Sequence, residues 1–265
     1  MYMHTHLKRA LINKTLLKII SGIQNFEENS IFNIVKAAEL AKATYVDIAA
    51  IPSIIQKIKQ HIQLPLCIST LDPSLINKCI LAGADIVEVG NYDCFYSGKS
   101  KFSLDRIFYI SEKIRLMFPE ITLCVTIPHD LSIEKQIYLA KKLQSININM
   151  LQTEGITSQI NEINNFSLYS NIKSISTTLS MTYILSQTID IPIITASGIN
   201  SANASSAIKY GADGLGIGSA ITKFENIEDM TKVIKTIKKD LKIASANQFN
   251  YHEIKTLSSH FLSLT

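Results

Sequence analysis

Five polar side chains and two pairs of small residues carry the chemistry this chain can offer. Asp47 and Glu88 each close a run of apolar residues, in "ATYVDIAA" and "ADIVEVG". Two carboxylates brought within a few Å push their proton affinities apart, which yields one acid and one base. Gln152 and Glu154 close a third run, "INMLQTEG", where Glu154 could hold a sugar hydroxyl or act as a base. His129, in "TIPHD", follows a fourth run and could shuttle protons. The small residues lie farther on. "TASGIN" contains Ser197 and Gly198, and "ADGLGIGSAI" contains Gly218 and Ser219. Glycine lets backbone N–H groups approach an anion without a Cβ in the way, and serine adds a hydroxyl donor. The pair of loops, one βα unit apart, predicts a cup for the phosphate of a small molecule or of FMN.

Such residues act together only if a fold converges them. Eight short apolar runs alternate with helix-period segments: Leu16–Gly22, Ala43–Ala50, Leu64–Thr70, Ala84–Gly90, Ile121–Ile127, Ile148–Gly155, Ile191–Gly198 and Ala212–Ser219. That number closes a single (βα)8 TIM barrel of ordinary size, in which phosphate sites commonly sit on the loops after the last two strands. A doubly wound sheet would instead carry its Gly-rich turn after the first strand. The expected organisation is an N-terminal segment at 1–15, the barrel at 16–240 and a short helical C-terminal extension at 241–265. "NSIFNIVKAAELAKA" reads as an amphipathic helix capped at Asn29 or Ser30.

The alternation has a two-unit period, βαβα. Aligning the even strands places Thr44, Asp85, Asn149 and Asp213 at one position, and Asp47, Glu88, Gln152 and Gly216 three residues on. Ala49, Gly90, Glu154 and Gly218 follow two further on. Alternate strands contribute to one interior layer, so Asp47, Glu88 and Gln152 should form a polar ring beside a gap at Gly216. Lys18, in the first strand, raises the Schiff-base chemistry of aldolases. Its odd-strand equivalents Leu66, Leu123 and Ile193, however, turn it toward the helices. A long loop follows Gly90, and in it Asn91, Tyr92, Asp93, Phe95 and Tyr96 could close over a ligand.

Composition narrows the partners. Hydrophobic residues make up 46% of the 265 and charged residues 18%, enough apolar mass for a well-filled core, and the formal charge is +4. The lysines at 232, 235, 238, 239 and 242 read as a solvated helix face, and no basic block argues for nucleic acid. No apolar run is long enough to span a membrane, and no signal or transit peptide is recognisable at the N-terminus. No His, Asp, Glu or Cys cluster has metal-ligand spacing, so no metal is expected. Cys67, Cys79, Cys94 and Cys124 lack C-x-x-C spacing and read as buried small hydrophobes.

"KIISGIQNF", "AAELAKATYVDIAA", "AGADIVEVGNYDCFY", "TIPHDLSIEKQIYLA", "LQTEG" and "ITASGI…GADGLGIGSAI" together resemble the hypothetical chloroplast reading frame 23 family of plastids and cyanobacteria, over roughly residues 16–240. The resemblance implies an aldolase-type barrel, soluble in the plastid (chloroplast) stroma, and brings no reaction with it. "AGADIVEVG" is also similar to the strand that carries the catalytic glutamate in the tryptophan synthase α barrel, which would map onto Glu88; this is an analogy between sites alone. The leading expectation is an enzyme of lyase, isomerase or synthase type on a phosphorylated metabolite, with Asp47, Glu88, Glu154 and His129 catalytic. Ser197, Gly198, Gly218, Ser219 and Gln152 would bind the substrate and its phosphate. The alternatives are an FMN-binding barrel and a non-catalytic sensor or interaction protein that keeps the cup. A homo-oligomer is compatible with the sequence.

Overall fold

A computed structural model describes residues 3, 5–90, 103–155 and 166–262. Eight parallel strands close into one barrel in sequence order: β1 (Leu16–Ile20), β2 (Tyr45–Ala49), β3 (Leu66–Ser69), β4 (Ile86–Val89), β5 (Thr122–Ile127), β6 (Met150–Thr153), β7 (Ile193–Thr195) and β8 (Gly214–Ile217). Every strand falls inside a run expected from sequence. Helices cross over between them: α2 (Glu28–Leu40), α3 (Pro52–Lys59), α4 (Pro73–Leu81), α5 (Leu104–Met117), α6 (Ile133–Ser145), α7 (Phe166–Ser186) and α8 (Ala204–Lys209). The fold is a TIM barrel. A short helix, α9 (Ser219–Thr222), follows β8, and α10 (Ile227–Leu262) carries the chain through its C-terminal region.

The strands are buried on both faces, as parallel strands in α/β folds are. Their outward apolar residues pack under the helices in one large cluster. The inward residues of the lower barrel form a second, made of Leu16, Tyr45, Cys67, Ile86, Cys124, Met150 and Ile194. An N-terminal helix, α1 (Thr5–Ile12), closes that cluster from below with Leu7, Ala10 and Leu11. At the other end of the chain, Leu241 and Ala244 of α10 are buried, and Ser245 Oγ donates to the Lys14 carbonyl at 2.6 Å. Among the lysines of α10, 232, 235, 239 and 242 are exposed. Lys238 is half-buried and donates to the Lys42 carbonyl just past the end of α2, where the helix dipole favours a cation.

The two-unit repeat has a structural basis at the lower rim. Thr44 Oγ1, Asp85 Oδ2, Asn149 Oδ1 and Asp213 Oδ2 each accept a backbone N–H from the preceding odd strand: Leu17 at 2.9 Å, Leu66 at 2.8 Å, Leu123 at 2.8 Å and Ile193 at 2.9 Å. Two residues before each acceptor the chain turns through a positive φ, at Lys42 (55°), Gly83 (112°), Asn147 (57°) and Gly211 (101°). The same turn and the same clamp therefore recur four times around the barrel.

Two expectations are corrected. The cap of α2 is Glu27, not Asn29 or Ser30; its carboxylate accepts the backbone N–H groups of both. A carboxylate can satisfy these orphan donors with charge in its favour, although shorter side chains do so more often. Lys18 points into the barrel, not toward the helices. "LLKII" is apolar on both sides of the lysine, so nothing in its pattern fixes parity, and a slip of one residue reverses every side chain.

Candidate functional site

The layer above the lower apolar cluster is polar. Lys18, Asp47, Ser69, Glu88, Thr126 and Gln152 are all at most 2% exposed. Lys18 Nζ donates to Glu88 Oε2, and to Gln152 Oε1 at 2.9 Å, and stands 3.5 Å from Asp47 Oδ2. Thr126 Oγ1 and Gln152 Nε2 each donate to Glu88 Oε1 at 3.0 Å. Ser69 Oγ lies 2.7 and 2.9 Å from the two Asp47 oxygens. The polar ring read from the even strands is therefore real, and Lys18 ties its members together. Burial opposes the charge of Lys18, but the Asp47 and Glu88 carboxylates outweigh it and hold its pKa above that of a free lysine. Burial pushes the nearby Cys67 and Cys124 thiols well up, so both are neutral at physiological pH.

Glycine makes this packing feasible at two places. A Cβ on Gly90 would lie 2.1 Å from Thr126 Oγ1 and 3.0 Å from Glu88 Oε1. One on Gly216 would lie 2.9 Å from the Ala196 Cβ and 3.4 Å from Gln152 Oε1. The expected gap at Gly216 is filled, because Ala196 and Ile20 take the place of its missing side chain, and above it lies a cavity of about 150 Å³ at the C-terminal ends of the strands.

That cavity is bounded by Ile20, Gln152, Glu154, Ala196, Ser197 and Gly198, with Ile199, Gly216, Gly218 and Ser219 completing it. Ser197 and Gly198 both adopt positive φ, 70° and 74°, so the β7–α8 loop turns sharply at the cavity wall. A serine in that conformation is strained, the sort of cost that clusters at ligand loops. Asn203 Nδ2 holds the Gly198 carbonyl at 2.8 Å. Below the loop, the hydroxyls of Thr153, Thr182 and Thr195 run in a buried chain, 2.9 and 2.8 Å apart, that pins α7 to β6 and β7. Nothing in the sequence pattern pointed to this trio.

Glu154 and His129 meet at the rim. Glu154 Oε1 is 3.2 Å from His129 Nδ1 and accepts the His129 backbone N–H at 3.2 Å. Glu154 is 4% exposed. The expected site residues thus divide into two tiers. Glu154, Gln152 and the four cup residues line the cavity, with His129 against Glu154, while Asp47 and Glu88 lie beneath in the ring. The loop residues Asn91, Tyr92, Asp93, Phe95 and Tyr96, and Cys94 with them, fall outside the described residues. Among the described residues, no three His, Cys, Asp or Glu side chains converge as a metal site, and no helix is long and apolar enough to cross a membrane.

Residues 3–248 match the family described as "Protein of unknown function (DUF561)". The chain belongs to this family. Among its relatives is the uncharacterized protein ycf23 of Antithamnion sp., 44% identical over 236 residues that span 86% of this chain and 85% of the relative. The ycf23 protein of Cyanophora paradoxa is 35% identical over 89% of this chain and 96% of the relative. Similar solved structures include (S)-3-O-geranylgeranylglyceryl phosphate synthase from Thermoplasma acidophilum in complex with sn-glycerol-1-phosphate. Its TM-score is 0.61 at 14% identity, over 91% of this chain and 99% of that one. Thiamine phosphate pyrophosphorylase from Pyrococcus furiosus gives a TM-score of 0.57 at 16% identity, over 88% and 98%. At these identities the structural likeness establishes the barrel, and the DUF561 relatives establish the lineage.

Proposed function

We propose that this DUF561 barrel is a plastid stromal enzyme acting on a phosphorylated small molecule by carboxylate acid–base chemistry, as a lyase, isomerase or synthase. The observation that carries the reading is the single cavity whose wall includes both glycine–serine loops together with Gln152 and Glu154. Ser197, Gly198, Gly218 and Ser219 take the phosphate. Glu154, held by His129, exchanges a proton with the bound ligand. Glu88 and Asp47 set the field beneath the cavity floor. The structural neighbour solved with sn-glycerol-1-phosphate lends support by likeness of fold, and the ycf23 relatives support the compartment.

Titration of the full chain with sn-glycerol 1-phosphate and with inorganic phosphate tests the cup. Binding should weaken at least about tenfold in Ser219→Asp, because a carboxylate placed against a phosphate costs more than about 1.4 kcal/mol. Unchanged binding would remove the cup from consideration. On a phosphorylated compound that turns over, Glu154→Gln and Glu88→Gln should each abolish turnover and leave phosphate binding nearly intact. A sensor would instead bind and never turn over.

A further inference from the structure

We propose that Lys18 forms a Schiff base with the ligand, so that the phosphorylated molecule is an aldehyde or a ketone. This deepens, and rests on, the reading of the cavity as a phosphate site. Lys18, Asp47 and Glu88 are 0%, 1% and 0% exposed. The cluster gathers one amine and two carboxyl groups where water does not reach. Removing such groups from water costs several kcal/mol per ion, and apolar residues of the same size commonly serve the fold as well or better. The position of the cluster gives it a use. Gln152, which accepts from Lys18 at 2.9 Å, lines the cavity. Gly216, the register partner of Lys18 on β8, lines it too, with Ala196 Cβ and Ile20 Cδ1 filling the place a side chain would take. The amine therefore lies one hydrogen bond below the cavity floor.

The two carboxylates supply the proton movements that imine formation needs. Lys18 rests as an ammonium, and Glu88, its nearest anion, takes one proton. The free nitrogen pair attacks the carbonyl carbon, making a C–N bond as the C=O π pair moves to oxygen. Asp47 carries a proton from that nitrogen to the oxygen, giving a neutral carbinolamine. Glu88 then returns its proton to the hydroxyl, water leaves, and the nitrogen pair forms C=N. The sum is ammonium plus carbonyl giving protonated imine plus water, with charge unchanged and no oxidant or reductant consumed.

Borohydride trapping decides the matter. The full chain is incubated separately with glyceraldehyde 3-phosphate and dihydroxyacetone phosphate, reduced with sodium borohydride, and mapped by peptide mass. The expected result is one adduct per chain on Lys18, competed by inorganic phosphate and lost in Lys18→Arg, which keeps the charge. Phosphate binding by the unmodified protein is measured in parallel. If phosphate binds but neither compound marks Lys18, or label scatters over surface lysines, the Schiff base is overturned and the cup stands. A Lys18 adduct that phosphate does not compete upholds the Schiff base and removes the cup. If neither occurs, both fall. Should Lys18→Arg fail to fold, the wild-type peptide map alone gives the answer.

Discussion

Lys18 and Gly90 define the centre of the site in opposite ways. The carboxylates of the polar ring could be read from sequence because they break apolar runs at equivalent positions, and the same logic placed Gln152 in the ring. The gap expected at Gly216 is filled by Ala196, just past β7, and Ile20 of β1, which the even-strand alignment does not contain. Lys18 could not be oriented, since "LLKII" offers no polar alternation to fix a face. The clearance at Gly90 was invisible for another reason: it depends on where Thr126 lies on the adjacent strand. Thr126 is fully buried and β-branched, and it cannot swing away from a new Cβ without giving up its bond to Glu88. Gly90→Ala should therefore cost about 1–3 kcal/mol. Most of that cost should vanish in a Thr126→Ala background, so a double-mutant cycle of urea midpoints should be strongly non-additive. Additive losses would mean that the strand end simply shifts to accept the methyl group.

Among the elements, the four lower-rim turns show which parts of the repeat were legible. All eight strands and their order came through because two-sided burial leaves uninterrupted apolar runs, while the clamp formed by Thr44, Asp85, Asn149 and Asp213 was seen only as an alignment column. The turns use glycine at 83 and 211 but Lys42 and Asn147 elsewhere. A lysine at φ 55° pays about 1–2 kcal/mol for its left-handed backbone. Glycine removes that strain and gives part of it back as unfolded-state entropy. Lys42→Gly should therefore raise stability by up to about 1 kcal/mol, a gain of a few degrees in Tm for a chain of this size. The carbonyl that Lys238 reaches is backbone and survives the change. Gly211→Ala should do the opposite, since its Cβ would stand 2.4 Å from Ser186 Oγ at φ 101°. Equal Tm values for the two variants would show that the turn is not held in this conformation.

At the scale of the whole molecule, the barrel interior is a stack: α1, then an apolar layer with two thiols and a phenol, then the ion cluster, then the cavity. The stack imposes one direction of pH dependence on stability. Burial raises the Cys67 and Cys124 thiols and the Tyr45 phenol well above their ordinary 9.0 and 10.0. Lys18 holds its proton beyond the ordinary 10.5, although burial alone would lower it, because Asp47 and Glu88 stand against it. For the thiols and the phenol, the unfolded chain starts to lose protons while the native state keeps them. For the lysine the sign is the same, since its contribution is complete below the unfolded value and is lost as pH rises toward the folded one. In all four cases the unfolded state binds fewer protons at high pH, so stability falls as pH rises. Urea midpoints should stay level from pH 7 to about 8.5 and then drop. Cys67 and Cys124 should each contribute a slope of up to about 1.4 kcal/mol per pH unit once past their unfolded values. Cys67→Ala should lower the plateau, because it empties space in a packed layer, yet make the alkaline limb shallower. A limb equally steep in that variant would show that Cys67 takes no part in it.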